Sequence, residues 1–541
     1  MTTKPLHRAI SLALLAGAFV STEALAANAS YDPATQTVTI SAVDVPRTTD
    51  GVVKTFSATL KLVPGTDPIE LELTGAQTIT TPEGIRSGFD ATTGEAFIPS
   101  VTVGSNEYAA TLKLIPGSIP LRFQVIRLHP TQFTQCPDFA QPLDQGACLL
   151  QGEINQDVTL TNEITWLLSG GVFVGGDNTN SATLTIEPGT RIEGQQAADF
   201  LYIRRGSKIH AVGTPSQPII MTGPLEQTPG EWGGLVLAGN APVNGCNPGV
   251  DPCVQFNEAL SSEPYGGSDP KDSSGIIKYL QIRYAGYPVR PDQELNGLTL
   301  TGVGSGTVLD FIEVFEAADD GIEHFGGTDN IRHVVLVNVH DDSVDWGWGW
   351  RGSAQFVVIK QTNDSDRCIE ADNNENNFDS TPRAQPVIAN MTCIGNPNGS
   401  QAVMLRRGTG ANIVDSVFVD TPVCLKIDDK ETYDNAGTPD NLTGKLTIEY
   451  SYVNCPTNFK DGKGATFSVA DWFRAQPGNV EADPLLDGYL PGAGSPLLTG
   501  GAGDSFTITV PGNDSTILGT TYIGAVQDAE HDWTKYWTTW E

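Results

Sequence analysis

Acidic side chains are concentrated between residues 316 and 372, with two histidines among them. The group comprises Glu316, Asp319, Asp320, Glu323, His324, Asp329, His340, Asp341, Asp342, Asp345, Asp364, Asp366, Glu370 and Asp372. Carboxylates at this density can coordinate a hard cation such as Ca²⁺, which takes about six to eight oxygen ligands. Two of them can also act as acid and base on a glycoside.

A spacing of 22 residues recurs in three pairs: Asp319 with Asp341, Asp320 with Asp342, and Glu323 with Asp345. If one coil of a solenoid has this length, the partners lie roughly 4.8 Å apart on successive coils. Two ionised carboxylates at that distance repel each other by about 3.5 kcal/mol at an effective dielectric constant of about 20. Ca²⁺ bound by these six residues is one way to offset the repulsion. Protonation, hydrogen bonds from Asn and Ser neighbours, or splayed and hydrated side chains are the alternatives.

The same segment supports an enzyme interpretation. Its candidates are Asp319, Asp320, Asp342 and Asp345, with Arg351 or His324 as a basic partner. The chain has 64 acidic residues and no motif singles out one pair, so the sequence assigns no catalytic residue. Nucleophile-elbow, P-loop, HExxH and dinucleotide-binding motifs are absent.

Three tryptophans alternate with glycines just beyond the repeated carboxylates: Trp346, Trp348 and Trp350. In a strand, residues two apart point to the same face. Facing outward, the three rings would form a platform for glycan or partner contact. Facing inward, they would fill a core while the glycines admit another backbone, and packing of this kind is the favoured interpretation.

Two kinds of element must position these residues, and the first is a repeated unit within residues 31–130. Residues 56–65 (FSATLKLVPG) match residues 108–117 (YAATLKLIPG). Residues 70–73 and 121–125 alternate between polar and apolar side chains, which is typical of half-buried strands. The sequence predicts a small all-β module made of two repeats.

The second element begins near residue 155, where short strands broken by Gly, Asn and Asp recur every twenty-odd residues. A period of this length indicates a solenoid, and the 22-residue spacing suits one coil of a right-handed parallel β-helix. No segment shows the 3.6-residue apolar period of a helical solenoid. The predicted fold class is all-β, a right-handed parallel β-helix preceded by the two-repeat module.

Several segments resemble pectin-lyase-like right-handed parallel β-helix proteins that Gram-negative bacteria secrete or display on their surface. They are residues 184–192, 203–209, 213–220, 231–237, 265–267, 296–300 and 522–526. The resemblance covers roughly residues 160–541 and implies the β-helix fold. It does not choose a function, because that fold hosts lyases, hydrolases, adhesins and surface-layer subunits. The composition is also similar to that of surface-layer subunits.

The predicted organisation has four parts: a signal peptide at 1–26, the module at 27–130, the β-helix at 131–500 and a C-terminal cap at 501–541. A Gly-, Pro-, Asn- and Ser-rich segment at 240–275 is predicted to be a loop insertion in the β-helix. The aromatic residues at the end of the chain are predicted to cover the open edge of the last coil.

Lys4 and Arg8, an apolar run at 9–20 and an Ala-Leu-Ala site at 24–26 predict a cleaved signal peptide. No other run approaches the roughly 20 apolar residues of a membrane-spanning helix, so we expect an exported protein, extracellular or at the cell surface, without a transmembrane anchor. Eight cysteines in an oxidising compartment predict disulfides. Proximity suggests the pairs Cys136–Cys148, Cys246–Cys253, Cys368–Cys393 and Cys424–Cys455.

The composition excludes one class of function. Acidic residues outnumber Lys plus Arg by 64 to 31, the formal net charge is -33, and the sequence pI is about 4.4. Such a surface repels nucleic acid, whose binding draws on cationic side chains. Any polyanionic partner would need a cation bridge.

These observations favour an exported, non-enzymatic structural protein that self-associates into a surface layer or a biofilm matrix, with Ca²⁺ as the candidate cofactor. Its expected partners are further copies of itself and an outer-membrane glycolipid or an extracellular polysaccharide. A polysaccharide-active lyase or glycoside hydrolase is one alternative, which predicts a groove with a basic residue beside paired carboxylates. A carbohydrate-binding adhesin is the other, which predicts exposure of the tryptophan strand.

Overall fold

The structure, a computed structural model, describes residues 28–540 except 48–49, 67, 81–83, 85, 132–134, 144–146, 291–292 and 363. The predicted signal peptide lies outside the described residues. The architecture agrees with the predicted fold class: a small antiparallel β module precedes a long right-handed parallel β-helix.

The N-terminal module consists of eight strands, β1 (Ala29–Asp32), β2 (Thr37–Pro46), β3 (Val53–Val63), β4 (Glu70–Ile79), β5 (Ser87–Asp90), β6 (Glu95–Val103), β7 (Asn106–Leu114) and β8 (Arg122–Pro130). They pair in the order β1-β2-β3-β4-β8-β7-β6-β5, and β1–β6 and β2–β5 contacts bring the ends of the sheet together. Each predicted repeat supplies four consecutive strands. Alternate residues of β2 and β6, such as Val38, Ile40 and Ile98, point into a shared apolar interior.

The strands that follow the module up to the end of the insertion are β9 (Gln141–Pro142), β10 (Ala147–Ile154), β11 (Val158–Leu160), β12 (Thr165–Val174), β13 (Thr183–Ile186), β14 (Arg191–Gly194), β15 (Phe200–Ile203), β16 (Lys208–Val212), β17 (Ile219–Thr222), β18 (Gly234–Ala238), β19 (Gln255–Phe256) and β20 (Pro264–Tyr265). The central coils contain β21 (Gly275–Arg283), β22 (Pro288–Arg290), β23 (Gln293–Glu294), β24 (Leu298–Thr301), β25 (Val308–Phe315), β26 (Ile322–Phe325), β27 (Asn330–Val337), β28 (Val344–Gly347), β29 (Ser353–Lys360), β30 (Ile369–Ala371) and β31 (Val387–Ile394).

The remaining elements are β32 (Gln401–Leu405), β33 (Ala411–Val414), β34 (Val417–Val419), β35 (Val423–Ile427), α1 (Lys430–Ala436), β36 (Gly437–Thr438), β37 (Asn441–Leu442), β38 (Leu446–Glu449), β39 (Tyr452–Asn454), β40 (Thr457–Asp461), α2 (Val469–Arg474), β41 (Val480–Glu481), β42 (Leu486–Asp487), β43 (Leu490–Pro491), β44 (Thr507–Thr509) and β45 (Thr516–Leu518). A short 3₁₀ helix covers Pro496–Leu498. Among the described residues, neither α-helix has the length and apolarity that crossing a bilayer requires.

Three parallel sheets run the length of the β-helix. Sheet 1 contains β14, β17, β34 and the second halves of β21, β25, β27, β29 and β31. Sheet 2 contains β15, β18, β24, β26, β28, β30, β32, β35 and β40. Sheet 3 contains β13, β16, β33, β38 and the first halves of the long strands. The predicted 22-residue coil is confirmed, because β26 pairs with β28 in the register Ile322↔Val344 and Glu323↔Asp345.

The bend between sheets 3 and 1 is made by one residue per coil with a positive φ. These residues are Tyr279, Phe311, His333, Phe356, Asn390, Asp415 and Tyr450, with φ between 49° and 62°. The rings of the first four stack from coil to coil, with centroids 4.3 Å apart for Tyr279 and Phe311, 4.4 Å for Phe311 and His333 and 5.1 Å for His333 and Phe356. Stacking of this kind offsets the strain of a left-handed backbone in residues other than glycine.

The C-terminal segment does not lie where the sequence predicted. Trp533 and Trp537 pack on Phe311 in the middle of the β-helix, and the Thr539 N–H donates to Glu313 at 2.8 Å. The segment therefore runs back along the side of the solenoid and covers the stacked aromatic bend. The interior near the last coils is filled instead by Trp472 and Phe473 of α2.

Four disulfides are formed, and they join the neighbouring cysteines: Cys136–Cys148, Cys246–Cys253, Cys368–Cys393 and Cys424–Cys455. No described cysteine is free. Cross-links of this kind persist in oxidising compartments, so they indicate an extracellular or secreted protein.

Candidate functional site

The repeated acidic residues lie in a row on the outer face of sheet 2, and we call this row together with the insertion beside it the acidic cleft. Glu323, Asp345 and Glu370 occupy one register position on β26, β28 and β30. The residues on either side of each point inward and are buried, so the three carboxylates point away from the core. Glu323 and Asp345 remain partly exposed, which leaves them accessible from solvent.

The turns that enter these strands carry a second row of acids. Asp320 Oδ1 accepts a hydrogen bond of 3.0 Å from the Asp342 N–H, and Asp342 Oδ1 accepts one of 2.8 Å from the Arg367 N–H. Each buried carboxylate thus satisfies a backbone donor of the next coil. Asp320 and Asp342 therefore have a structural role in the ladder, whereas Glu323 and Asp345 receive no such backbone bond among the described residues.

The carboxylates meet in three overlapping clusters, in each of which one oxygen per residue lies within 4.8 Å of the other two. The clusters are Asp319–Asp320–Asp341, Asp320–Glu323–Asp345 and Asp341–Asp342–Asp366. All six residues predicted to bind metal thus lie together, with Asp366 in addition. The side chains of Asp320 and Asp342 are buried, whereas Asp341 is exposed.

Burial and mutual repulsion raise the pKa values across this cleft. Desolvation and the Asp341 charge raise the pKa of Asp319 to about 8. Desolvation raises the pKa values of Glu323 and Asp345 well above their ordinary range. The charge of Asp345 also raises the pKa of Glu323, and the charges of both raise the pKa of their shared neighbour Asp320. A pair of this kind holds at least one proton near neutral pH, because desolvation and like charges both disfavour the doubly ionised state.

Arginines neutralise one end of the cleft. Arg367 Nη1 lies 2.8 Å from oxygens of Glu370 and Asp366 and 3.2 Å from Asp342 Oδ2. Arg406 also binds Glu370 and donates to Asp372 at 2.9 Å. The acids next to Glu370 are therefore paired with cations, whereas no described Lys or Arg forms an ion pair with Asp319, Glu323 or Asp345.

The insertion forms a wall of the cleft. Its Asn244 exchanges hydrogen bonds with Asn373 and Asn374, 2.9 and 3.1 Å long, so the loop that leaves β18 reaches the coil of β30. Glu258 of the same insertion has its pKa raised to about 7 by desolvation and by the charges of Glu294 and Glu375. The cleft is thus acidic at its wall as well as on its floor.

The structure corrects both predicted basic partners. His324 points into the interior, where it stacks on Trp350 with centroids 3.7 Å apart and lies 3.2 Å from Asp329. Arg351 follows the strand, and its carbonyl accepts a hydrogen bond from Gly512 of the C-terminal segment. Neither residue forms an ion pair with the carboxylates of the cleft in the described part of the chain. His340 lies near Glu316, at 3.8 Å.

The structure also corrects the tryptophan platform. Trp346 and Trp350 are fully buried inside the coils, and Trp346 donates to Thr409 Oγ1 at 3.1 Å. β28 ends at Gly347, and Trp348 has a φ of 51°, which turns its ring toward the insertion at Gly245. The rings therefore contribute to packing, which was the favoured interpretation of the alternating glycines. Trp346 and Trp350 are unavailable for glycan contact.

Sequence reasoning missed three participants in the cleft. Asn296 lies one coil before Asp320, and its amide donates to Glu323 Oε2 at 2.6 Å. Arg406 reaches the site from a later coil, where it pairs with Glu370 and Asp372, and Glu258 lies within the predicted insertion. The position before the strand contained the signal for Asn296, because Asn296 lies 24 residues before Asp320 and precedes β24 by the same two residues as Asp320 precedes β26.

These features define a class of protein: a secreted parallel β-helix with an acidic cleft on one sheet. The comparison with known families agrees, since the pectate-lyase-like β-helix domain matches residues 152–477. The chain belongs to this family. No curated protein matches it. Among solved structures, it is similar to the catalytic domain of a GH87 alpha-1,3-glucanase variant in complex with tetrasaccharides, with 10% identity, 86% of this chain and 95% of that chain covered, and a TM-score of 0.24.

Proposed function

We propose that the protein is a secreted glycoside hydrolase that cleaves a polysaccharide in the acidic cleft of sheet 2. One observation carries the proposal: Glu323 and Asp345 lie on adjacent coils, partly exposed and desolvated, without a described cationic partner. Two carboxylates whose environments favour one shared proton are what acid and base catalysis on a glycoside requires.

The surroundings assign a role to each residue. Glu323 receives the Asn296 amide but has no arginine beside it, so it keeps the proton and acts as general acid on the leaving oxygen. Burial and neighbouring carboxylates raise the pKa of Asp345 as well, but the charge of Arg406 partly offsets that rise, so we assign Asp345 the role of nucleophile or base. One oxygen of each residue lies within 4.8 Å of the other, which is shorter than the separation of roughly 6.5–9.5 Å that admits a water between the carboxyl groups of an inverting enzyme. We therefore expect retention of anomeric configuration.

A lyase mechanism has less support in the same cleft. Elimination beside a uronate carboxyl group needs a basic side chain with a free lone pair, and the arginines at the site are held in ion pairs with Glu370, Asp372 and Asp366. The acidic floor also repels a polyuronate. A neutral polysaccharide is the favoured substrate class.

The test is a panel of neutral and acidic polysaccharides incubated with the mature protein, with reducing ends and the ultraviolet absorbance of an unsaturated product recorded separately. We expect new reducing ends without unsaturated product, and loss of activity in Glu323→Gln and Asp345→Asn. Glu449→Gln is the matched control, because Glu449 is a half-buried carboxyl with a raised pKa on sheet 3, away from the cleft. Unsaturated product would contradict the hydrolase proposal.

Ca²⁺ is proposed for the neighbouring cluster, Asp319, Asp320 and Asp341. Arg367 already forms ion pairs with Asp342 and Asp366, whereas no described Lys or Arg forms an ion pair with Asp319, Asp320 or Asp341. Carboxylate oxygens are the ligands that Ca²⁺ prefers. Calorimetric titration should show binding that Asp319→Asn weakens and Glu449→Gln does not. Calcium binding without hydrolytic activity would support the Ca²⁺ site and overturn the glycoside hydrolase proposal.

Self-association through Ca²⁺ into a surface layer or matrix is the second candidate function. Asp341 favours it, because this exposed residue belongs to two clusters and can share a cation with another copy or with an anionic glycan. Light scattering and negative-stain microscopy during Ca²⁺ addition and chelation provide the test. Ordered assemblies that dissolve on chelation and are lost in Asp341→Asn would support it, and a monomer at every Ca²⁺ concentration would exclude it.

A further inference from the structure

The internal repeat of the N-terminal module builds two apolar pockets that correspond to each other residue by residue. One is lined by residues that include Tyr31, Leu62 and Leu71, and the other by their repeat partners Phe89, Leu114 and Phe123. Leu112 lines both pockets, and Leu60, which occupies the same position in the other repeat, lines the second. The module is therefore a pseudo-symmetric shell with two chambers.

The two chambers differ in size. The first has a volume of about 70 Å³ and the second about 350 Å³. Leu128 lines the smaller chamber, and the equivalent residue in the larger one is Ala76. The side chain of Ala76 is three carbon atoms shorter than that of Leu128, which leaves the larger chamber unfilled. Protein interiors are otherwise closely packed.

The larger chamber opens at a gap in the sheet. β4 pairs with β8 through Glu70, Leu71 and Glu72, and β8 begins at Arg122, so the second half of β4, which contains Ala76, extends past the start of β8. Leu121 lines the chamber and is 47% exposed, and nearby Ile119 is 96% exposed. The rim of the opening is therefore apolar, and exposed apolar patches mark interaction sites.

The lining restricts the chemistry of a ligand. All 14 residues that line the larger chamber are apolar, so their side chains offer no hydrogen bond to a sugar or to the amides of a peptide. A dry apolar cavity takes an apolar guest. At about 30 Å³ for each group of the size of water, the volume corresponds to about a dozen methylene groups.

The N-terminal module is much less acidic than the rest of the chain. Residues 28–130 contain 10 acidic and 7 basic residues, whereas residues 131–541 contain 53 and 22. Arg122 follows Leu121 at the rim and is 40% exposed, with only loose ion pairs to Glu70 and Glu72 at 3.6 and 3.5 Å. The module thus repels an anionic head group less strongly than the β-helix does, and Arg122 offers a partly exposed cation on the outer face of the strand beside the rim.

We propose that the larger chamber of the N-terminal module binds a single fatty-acyl chain of about 12 carbon atoms. The site lies outside the acidic cleft, so the proposal does not depend on the hydrolase function. The acyl chain can belong to a free fatty acid or to a membrane lipid, and the test below separates these two sources.

The experiment uses the full mature chain. Dodecanoate binding is measured by isothermal titration calorimetry, and vesicle binding by flotation with phosphatidylglycerol and with phosphatidylcholine vesicles. We expect one dodecanoate per chain, and Ala76→Leu, which copies the smaller chamber, should weaken binding by at least about tenfold. If the protein floats with either vesicle and Ala76→Leu does not, the acyl chain comes from a membrane lipid. If the protein binds dodecanoate but neither vesicle, the acyl chain comes from a free fatty acid.

Leu128→Ala is the reciprocal variant, because it copies the larger chamber in the smaller one and should raise the stoichiometry toward two. Far-ultraviolet circular dichroism and the melting temperature verify that both variants fold. If Leu128→Ala does not fold, Ala76→Leu decides the question, since Ala76 is exposed at the wall and tolerates a larger side chain. The proposal is overturned if the folded protein binds neither dodecanoate nor vesicles, or if Ala76→Leu binds dodecanoate as tightly as the original protein.

Discussion

The N-terminal module and the β-helix are both built from β-strands, but they distribute charge, cross-links and interior space in opposite ways. The module closes antiparallel strands around an apolar interior with an unfilled chamber, and all eight cysteines lie outside it. The β-helix stacks parallel strands around a filled core, carries the four disulfides and displays carboxylates in rows. One chain thus separates an apolar binding surface from an acidic one.

The difference follows from how each region repeats. The module repeats once, so its two copies face each other and enclose a space. Each β-helix coil is stacked on the previous one, so a residue type that recurs every 22 positions forms a row at a spacing of about 4.8 Å. A row of carboxylates raises the pKa values of its members, whereas a mismatch between two facing copies leaves a cavity.

The largest expected effect tests whether the chemistry is confined to the β-helix. Glu323→Gln should lower hydrolytic activity by about a thousandfold, because it removes the proton donor while preserving side-chain size. Ala76→Leu in the module should leave the rate unchanged. Initial rates on a neutral polysaccharide measure both. A comparable loss of activity in Glu449→Gln would show that the effect is structural.

The next effect tests the contact between the two regions. Lys278 Nζ of sheet 3 lies 2.8 Å from Asp90 Oδ2 of the module and donates to Thr92 Oγ1 at 2.8 Å. Lys278→Ala leaves Asp90 without this cation in a buried contact and should cost about 3 kcal/mol. Hydrogen exchange should increase in β5 and on the facing strand β21. Lys208→Ala is the control, because Lys208 is exposed on the same sheet, and equal exchange in both variants would refute the docking role.

The third effect concerns the cross-links. Cys368 and Cys393 close a loop with a sequence separation of 25 residues, and replacing both with serine should lower the free energy of unfolding by about 3 kcal/mol. Faster hydrogen exchange should appear in β30 and β31 and not in β6 or β7 of the module. Uniformly faster exchange in both regions would mean that they unfold as one cooperative unit.

The smallest effect is the pH dependence of stability. Asp319 has its pKa raised to about 8 and Glu258 to about 7, whereas such groups titrate near 4 in an unfolded chain. The folded protein therefore holds protons that the unfolded chain releases, and stability falls as the pH rises from about 4 to about 8. We expect a melting temperature lower by about 3 °C at pH 8 than at pH 5.

The variant Asp319→Asn should reduce this pH dependence because it removes one of the contributing groups. Asp528 provides the control, since hydrogen bonds from the His531 side chain and from backbone amides lower its pKa. Asp528→Asn should therefore change the profile only at acidic pH. An unchanged slope in Asp319→Asn would contradict the raised pKa of Asp319 in the Ca²⁺-free protein.

Particular residues show how far the sequence could be read. The 22-residue spacing predicted that Glu323 and Asp345 lie side by side, because strand pairing in a solenoid follows its period. It did not predict that Arg367 and Arg406 neutralise one end of the row, since they come from later coils, at a different spacing. His324 was misassigned because it follows Glu323 directly, and adjacent strand residues point to opposite faces.

The sequence by itself determined the fold class, the coil length and the pairing of like carboxylates, because these depend on local periodicity and on the identity of repeated residues. Only the tertiary structure decided which carboxylates are exposed, which are paired with arginine, and which loop forms the wall of the cleft. It also decided that the terminal tryptophans cover the middle of the solenoid. These outcomes depend on contacts between residues distant in the chain, such as Asn244 with Asn373 and Thr539 with Glu313, which no local pattern encodes.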